Sequence, residues 1–221
     1  KVGIVAGEHS GDRLGAKIIN SIALTHEVKL YGVGGPKLIN QGLEPLFDFN
    51  KLHVMGLIEP LLNIRELIRL RKQLINLFIE KDIDYFLGVD SPDFNISIHK
   101  AMKNQKTCKN IQIVSPSVWG WRENRIKSIK KYVDLTACLF NFEDDFYKKK
   151  NLPSIHLGHP FSKLFPQNKE SVIKEYNLNP SKKYISILPG SRASEIKNLL
   201  PTYIEFIKLH LEKYRDYEYL I

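Results

Sequence analysis

The decapeptide FLGVDSPDFN, Phe86 to Asn95, decides how this chain folds. An apolar run ends at Val89, and two carboxylates, Asp90 and Asp93, follow at once around Pro92. A buried strand that stops on polar residues and proline delivers those side chains to its carboxyl edge, where open α/β sheets hold their ligands. One aspartate is placed to cap the helix that begins near Phe94 while the other faces a cleft. Whether the pair is chemistry or a turn is the question the rest of the chain must answer.

Outward from this stretch the pattern repeats. Val2–Ala6 reads as a buried strand, and after it Gly7, Gly11 and Gly15 fall four residues apart, with Leu14, Ile18 and Ile22 as an apolar stripe. Ser10 or Asp12 is the expected helix N-cap. Lys29–Val33 is the next strand and closes on a glycine turn, GVGGPKL, whose spacing is not the dinucleotide fingerprint. Strands follow at Asn110–Val114, Asp134–Phe140 and Ser154–Leu157, then the proline- and glycine-punctuated GHPFSKLF. A new unit brings a strand at Ser181–Leu188 and a helix over Lys197–Tyr214. The expectation is an α/β protein: one complete Rossmann-like parallel-sheet domain, residues 1–165, and the start of a second, 166–221.

The segment Leu57–Lys81 is helical in period, but its apolar stripe is wider than one face and is rimmed by Arg65, Arg69, Arg71 and Lys72. Such a helix either packs between a sheet and a neighbour or rests on a membrane surface.

Composition excludes several classes. Hydrophobic content of 43% and charged content of 26% describe a globular chain. Two cysteines, Cys108 and Cys138, without clustering, suit a reducing compartment and neither a disulfide framework nor structural zinc. No apolar run has the length of a spanning helix, and the chain opens directly on a strand with no signal peptide. Both ends fall abruptly against strands, as expected of a fragment of a longer protein. Of the net charge of +9, residues 95–150 contribute +7, from 12 Lys/Arg against 5 Asp/Glu. A basic face attracts phosphorylated metabolites, lipid headgroups or nucleic acid, and is equally a solvated surface.

Glu8 sits in the glycine loop after the first strand, where either a functional carboxylate or a capping one is natural. The D-x-x-D spacing of Asp90 and Asp93 disfavours a shared metal, and the histidines at 9, 99, 156 and 159 lack the pairing of a zinc site, so no metal or other cofactor is expected. Ser115 and Ser117 lack the nucleophile elbow of a serine hydrolase. Trp119 and Trp121, with Arg122 and Arg125, are placed to stack a base or sugar ring, or simply to pack. Arg192 in LPGSRASEI stands between a strand end and a helix start, an anion site by charge and position.

AGEHSGDRLGA, VMGLIEPL, GVDSPDFN, VSPSVWGWR, GHPF and LPGSRASEI, in this order and spacing, resemble the lipid-A-disaccharide synthase family along the whole chain. Departures are local: HYVSPS is common where this chain has Gln112-Ile113 before VSPS, and LPFE where it has Phe140-Asn141-Phe142-Glu143. The resemblance implies a GT-B-like inverting glycosyltransferase of two Rossmann-like domains. It would join UDP-2,3-diacylglucosamine to 2,3-diacylglucosamine 1-phosphate (lipid X) by a β-1,6 bond, releasing UDP, in building the lipid A of Gram-negative outer membranes. It points to Asp93 as general base, with Glu8 as alternative or orienting partner, and to Arg192 at the departing diphosphate. Ser10, Asp12, Asp90, Asn95, Ser115, Ser117, Trp119, Arg122 and Glu195 join Arg192 as substrate-binding candidates. Acyl substrates favour a membrane role for the oily helix, through Leu61, Leu62, Arg65, Ile68 and Arg69. That implies a cytoplasmic protein, peripheral on an anionic inner membrane, with no nucleic-acid partner, and leaves a homodimer open. Another UDP-sugar enzyme of the same fold, an epimerase or an N-acetylglucosaminyltransferase, and a non-catalytic binding module are the alternatives. Much of the family's donor domain lies beyond residue 221, so this length of chain alone is expected to be a poor catalyst.

Overall fold

The computed structural model describes residues 1–52, 64–105, 107–118, 124–162, 166–190 and 193–221. They form two compact units, Lys1–Ser162 and Lys163–Ile221.

In the first unit, strands β1 (Val2–Ala6), β2 (Leu30–Val33), β3 (Leu43–Pro45), β4 (Tyr85–Val89), β5 (Lys109–Ile113), β6 (Leu135–Cys138) and β7 (Ser154–His156) build one sheet in the order β3-β2-β1-β4-β5-β6-β7. Every pairing is parallel. Helices α1 (His9–Ala23), α2 (Pro36–Ile39), α3 (Ile64–Lys81), α4 (Pro92–Lys103), α5 (Asn124–Tyr132) and α6 (Asn141–Lys149) make the connections. Parallel strands need such crossovers, and both sheet faces are consequently covered.

The coverage explains the continuous apolar runs. On β1, Val2, Ile4 and Ala6 face one core with Ile19 of α1 and Leu38 of α2. Val5 faces the other, with Leu70, Leu74 and Phe78 of α3 and Ile98 and Met102 of α4. Leu70, Leu74 and Phe78 recur every four residues and form the sheet-facing stripe of α3, while Ile64, Ile68 and Ile79 stay exposed. The wide apolar stripe in the sequence is therefore two faces, one buried and one not. Its first part, residues 57–63, lies outside the described residues.

Gly32 has a special place. Its φ is +137°, and a Cβ there would sit 2.0 Å from the Ile4 carbonyl oxygen of the paired strand. Only glycine allows β2 to approach β1 at this point.

Several sequence expectations shift. Ser10 and Asp12 are not the N-cap of α1; Glu8 is, with extended backbone. Asn141–Lys149 is a helix, with Glu143 accepting from the backbone N–H groups of Leu139 and Phe140, each at 3.1 Å. Strand β5 stops at Ile113 because Val114 turns left-handed, and the short α2 and β3 carry no periodicity long enough to be read.

The second unit pairs β8 (Lys183–Ser186) with β9 (Tyr217–Leu220) in parallel, with α7 (Lys169–Glu175) before them and α8 (Ala193–Lys213) between. Asn168 caps α7 by accepting the Glu170 N–H at 3.0 Å. Helix α8 buries none of its side chains in this unit.

Candidate active site

The strand order reverses between β1 and β4, and in open parallel sheets the crevice at the carboxyl ends of such strands receives the ligand. Two loops meet that edge: Gly7–Glu8 after β1 and Asp90–Ser91 after β4. Glu8 is half-buried at φ −135°, and its carbonyl accepts the Asp12 N–H at 2.9 Å as α1 begins. Its side chain does not close the cap, whereas His9 and Ser10 lie exposed beside it.

The β4 loop is strained. Asp90 and Ser91 have φ of +52° and +40°, and Val114 after β5 has φ of +70°. Left-handed backbone costs non-glycine residues about 1–3 kcal/mol each, and a β-branched valine is the least suited to it. Such conformations survive only where the surroundings hold them. Ser91 is the N-cap residue of α4 and makes no side-chain cap bond. Asp93 stands in the first turn of α4, where the helix dipole favours a carboxylate. Arg125 of α5 reaches across, its Nη2 donating to both Asp93 oxygens at 2.6 and 2.5 Å.

Asp12 is buried under this edge. Its two oxygens accept the backbone N–H groups of Lys37 and Leu38, each at 3.0 Å, and so cap α2 from another helix. Asn95 is fully buried and donates from Nδ2 to the Asp90 carbonyl at 2.9 Å. Ser115 is buried, donating to the Pro116 carbonyl at 2.9 Å, and Ser117 is exposed. Glu195 in the second unit is half-buried, and its side chain lies against Gly190, whose φ of +114° shapes the LPG turn. Trp119, Arg122 and Arg192, together with Leu61 and Leu62, lie outside the described residues. Arg65, Ile68 and Arg69 are exposed on α3.

A cavity of about 470 Å³ opens at the ends of the neighbouring strands. His9 and Asp48 line it together with Ile39, Pro45, Phe47 and Phe49. The His9 and Phe49 rings lie 5.1 Å apart.

Two features of the site were not read from sequence. Arg125 was seen only as a partner for the tryptophans, because its ion pair with Asp93 joins two helices 32 residues apart. The other is a buried polar seam. Asn110 and Gln112 on β5 and His99 on α4 are all essentially inaccessible. Gln112 Oε1 lies 3.0 Å from His99 Nε2, and Asn110 Nδ2 donates to the His99 and Tyr132 carbonyls at 3.0 Å. The signal was the polar alternation in KNIQI, which usually marks a half-exposed strand but here falls in a covered one.

Fold and edge together define a GT-B-type protein built on a Rossmann-like parallel sheet. The solved structures it resembles agree: UDP-GlcNAc 2-epimerase from Neisseria meningitidis bound to UDP-GlcNAc (TM-score 0.62, 13% identity, 99% of this chain and 64% of that one) and an S. aureus MnaA–UDP co-structure (0.65, 11%, 99% and 60%). At such identities the likeness concerns the fold. The family model for lipid-A-disaccharide synthetase matches residues 2–221, and the chain belongs to that family. Lipid-A-disaccharide synthases of Acinetobacter baylyi and Idiomarina loihiensis are 41% and 40% identical across all of this chain. The chain spans 57% and 59% of those two relatives.

Proposed function

We propose that this chain is the acceptor-side part of an inverting glycosyltransferase. The enzyme joins UDP-2,3-diacylglucosamine to 2,3-diacylglucosamine 1-phosphate through a β-1,6 bond and releases UDP. The observation that carries this reading is the placement of Glu8 and the Asp90–Asp93 segment at the ends of β1 and β4, on either side of the strand-order reversal. The adjoining cavity, with its aromatic and aliphatic lining, fits a sugar that carries acyl chains.

In this scheme Asp93 takes the proton of the acceptor's primary hydroxyl as that oxygen attacks the donor's anomeric carbon. The bond from that carbon to the diphosphate breaks on the opposite face, and UDP leaves with the electron pair. A positioned base contributes roughly 10²–10⁴-fold. Arg125 orients the carboxylate, and Glu8 holds the acceptor from the β1 side. By the family resemblance, the positive charge of Arg192 takes up that of the departing diphosphate. The outward face of α3, with Ile64, Arg65, Ile68 and Arg69 exposed, rests on an anionic membrane surface at the cytoplasmic side.

Assay of UDP release by the full-length protein tests the reading. Asp93→Asn should reduce turnover by at least about 10²-fold with the fold intact; near-normal turnover overturns the assignment of the base.

A further inference from the structure

The strained ends of β4 and β5 share one anchor. Gln112 Nε2 lies 3.2 Å from the Asp90 carbonyl, 3.1 Å from that of Ile113 and 3.3 Å from that of Val114. Three acceptors around one nitrogen fix the orientation of the amide, because the oxygen in that place would face only lone pairs. Oε1 therefore points at His99 and accepts from its Nε2–H. Nδ1 of His99 is then the unprotonated nitrogen, and it is buried with no partner at hydrogen-bond geometry among the described residues. Burial drives the His99 pKa down to about 4, so the ring stays neutral and remains a donor at physiological pH. Gly88 completes the fit: a Cβ there would lie 2.9 Å from His99 Nε2 and 3.0 Å from Gln112 Oε1.

We propose that Gln112 is a positioning residue, oriented by His99, that clamps the left-handed Asp90 and Val114 backbone and thereby aims the Asp90–Asp93 segment at the cleft. The Asp90 carbonyl is gripped twice, by Gln112 and by Asn95. Val114 is also tied to β6 through its N–H and the Ala137 carbonyl at 3.0 Å. The clamp thus joins β4, β5 and α4 at the point where Asp93 leaves the sheet. It rests on the reading of Asp93 as the base, but its structural half stands without it.

The test uses the full-length protein with Gln112→Met, which keeps the length of the side chain and removes the amide. His99→Gln, which can still donate to Oε1, serves as the conservative control. For Gln112→Met we expect kcat to fall about 10–100-fold with KM within about threefold of wild type, and a cooperative unfolding transition. His99→Gln should stay within about threefold in kcat. Amide exchange at Asp90, Phe94 and Asn95 should quicken about tenfold or more in Gln112→Met while Ile4 and Val33 keep their protection. Wild-type kcat and unchanged exchange in the Met variant overturn the clamp. If the wild-type protein shows no glycosyl transfer, the proposed activity fails, and the exchange rates alone decide the clamp.

Discussion

Arg125 on α5 holds Asp93 on α4 by both carboxylate oxygens, yet the Asp93 side chain is 73% exposed and that of Arg125 only 23%. An ion pair so open to water stabilises the fold by about 0–1 kcal/mol. Its worth is directional. Arg125→Gln should therefore leave thermal stability nearly unchanged and lower kcat by about tenfold, through a misaimed base. A large drop in Tm with unchanged kcat would reverse that assignment.

His99 gives the protein an acid-sensitive core. Its pKa falls from an ordinary 6.5 to about 4, chiefly through burial, and its contacts with Gln112 and Asn110 and the Asp134 charge only partly offset this. Above pH 6.5 the ring is neutral folded or unfolded and contributes no pH dependence. Between pH 6.5 and 4 the unfolded chain binds a proton that the folded one refuses. Stability is therefore lost as pH falls, by up to roughly 3 kcal/mol. Denaturant titrations between pH 7 and 4 should show this slope in the wild type, and a shallower one in His99→Gln.

Asp12 should act through α2 and not through charge. Asp12→Ala strips the acceptors from the Lys37 and Leu38 N–H groups beneath the cavity, at a cost of about 1–3 kcal/mol. Asn is a poor substitute, since its amide would set a donor against one of those donors. Urea unfolding of the two variants checks this, and a wild-type midpoint in both would refute it.

The outward face of α3 predicts lipid dependence. Ile68→Glu, at an exposed position, should leave Tm within about 1 °C because exposed substitutions away from special features are near neutral. Flotation with anionic vesicles should weaken several-fold. Equal flotation with neutral and anionic vesicles would count against the arginines Arg65 and Arg69.

How much of this was legible in the sequence depended on the range of the interactions. The strand at Tyr85–Val89 and the polar stop after it were evident, because burial on both faces writes itself as VGIVA and YFLGV. So was the edge that Glu8, Asp90 and Asp93 share. What stayed hidden was tertiary. Asp12 was read, as an alternative to Ser10, as a cap for its own helix, and the fold uses it to cap another 25 residues away. Asn110 and Gln112 were read only as part of a strand, and it takes α4 and α5 to make their side dry. Val114 reads as a strand residue by propensity, and only the clamp around it makes the left-handed turn tenable.

Because all seven strands of the first unit run the same way, the sheet has a working edge and an idle one. The idle edge carries the turns at 24–29, 104–105 and 151–153, each leading towards a strand from behind. Leu24 is 80% exposed. A fluorophore or short epitope placed between Leu24 and Lys29 would report on the sheet while leaving the carboxylate loops untouched. The same polarity that gathers the reactive groups thus supplies a handle for tethering the protein, site outward, to a bead or a supported bilayer.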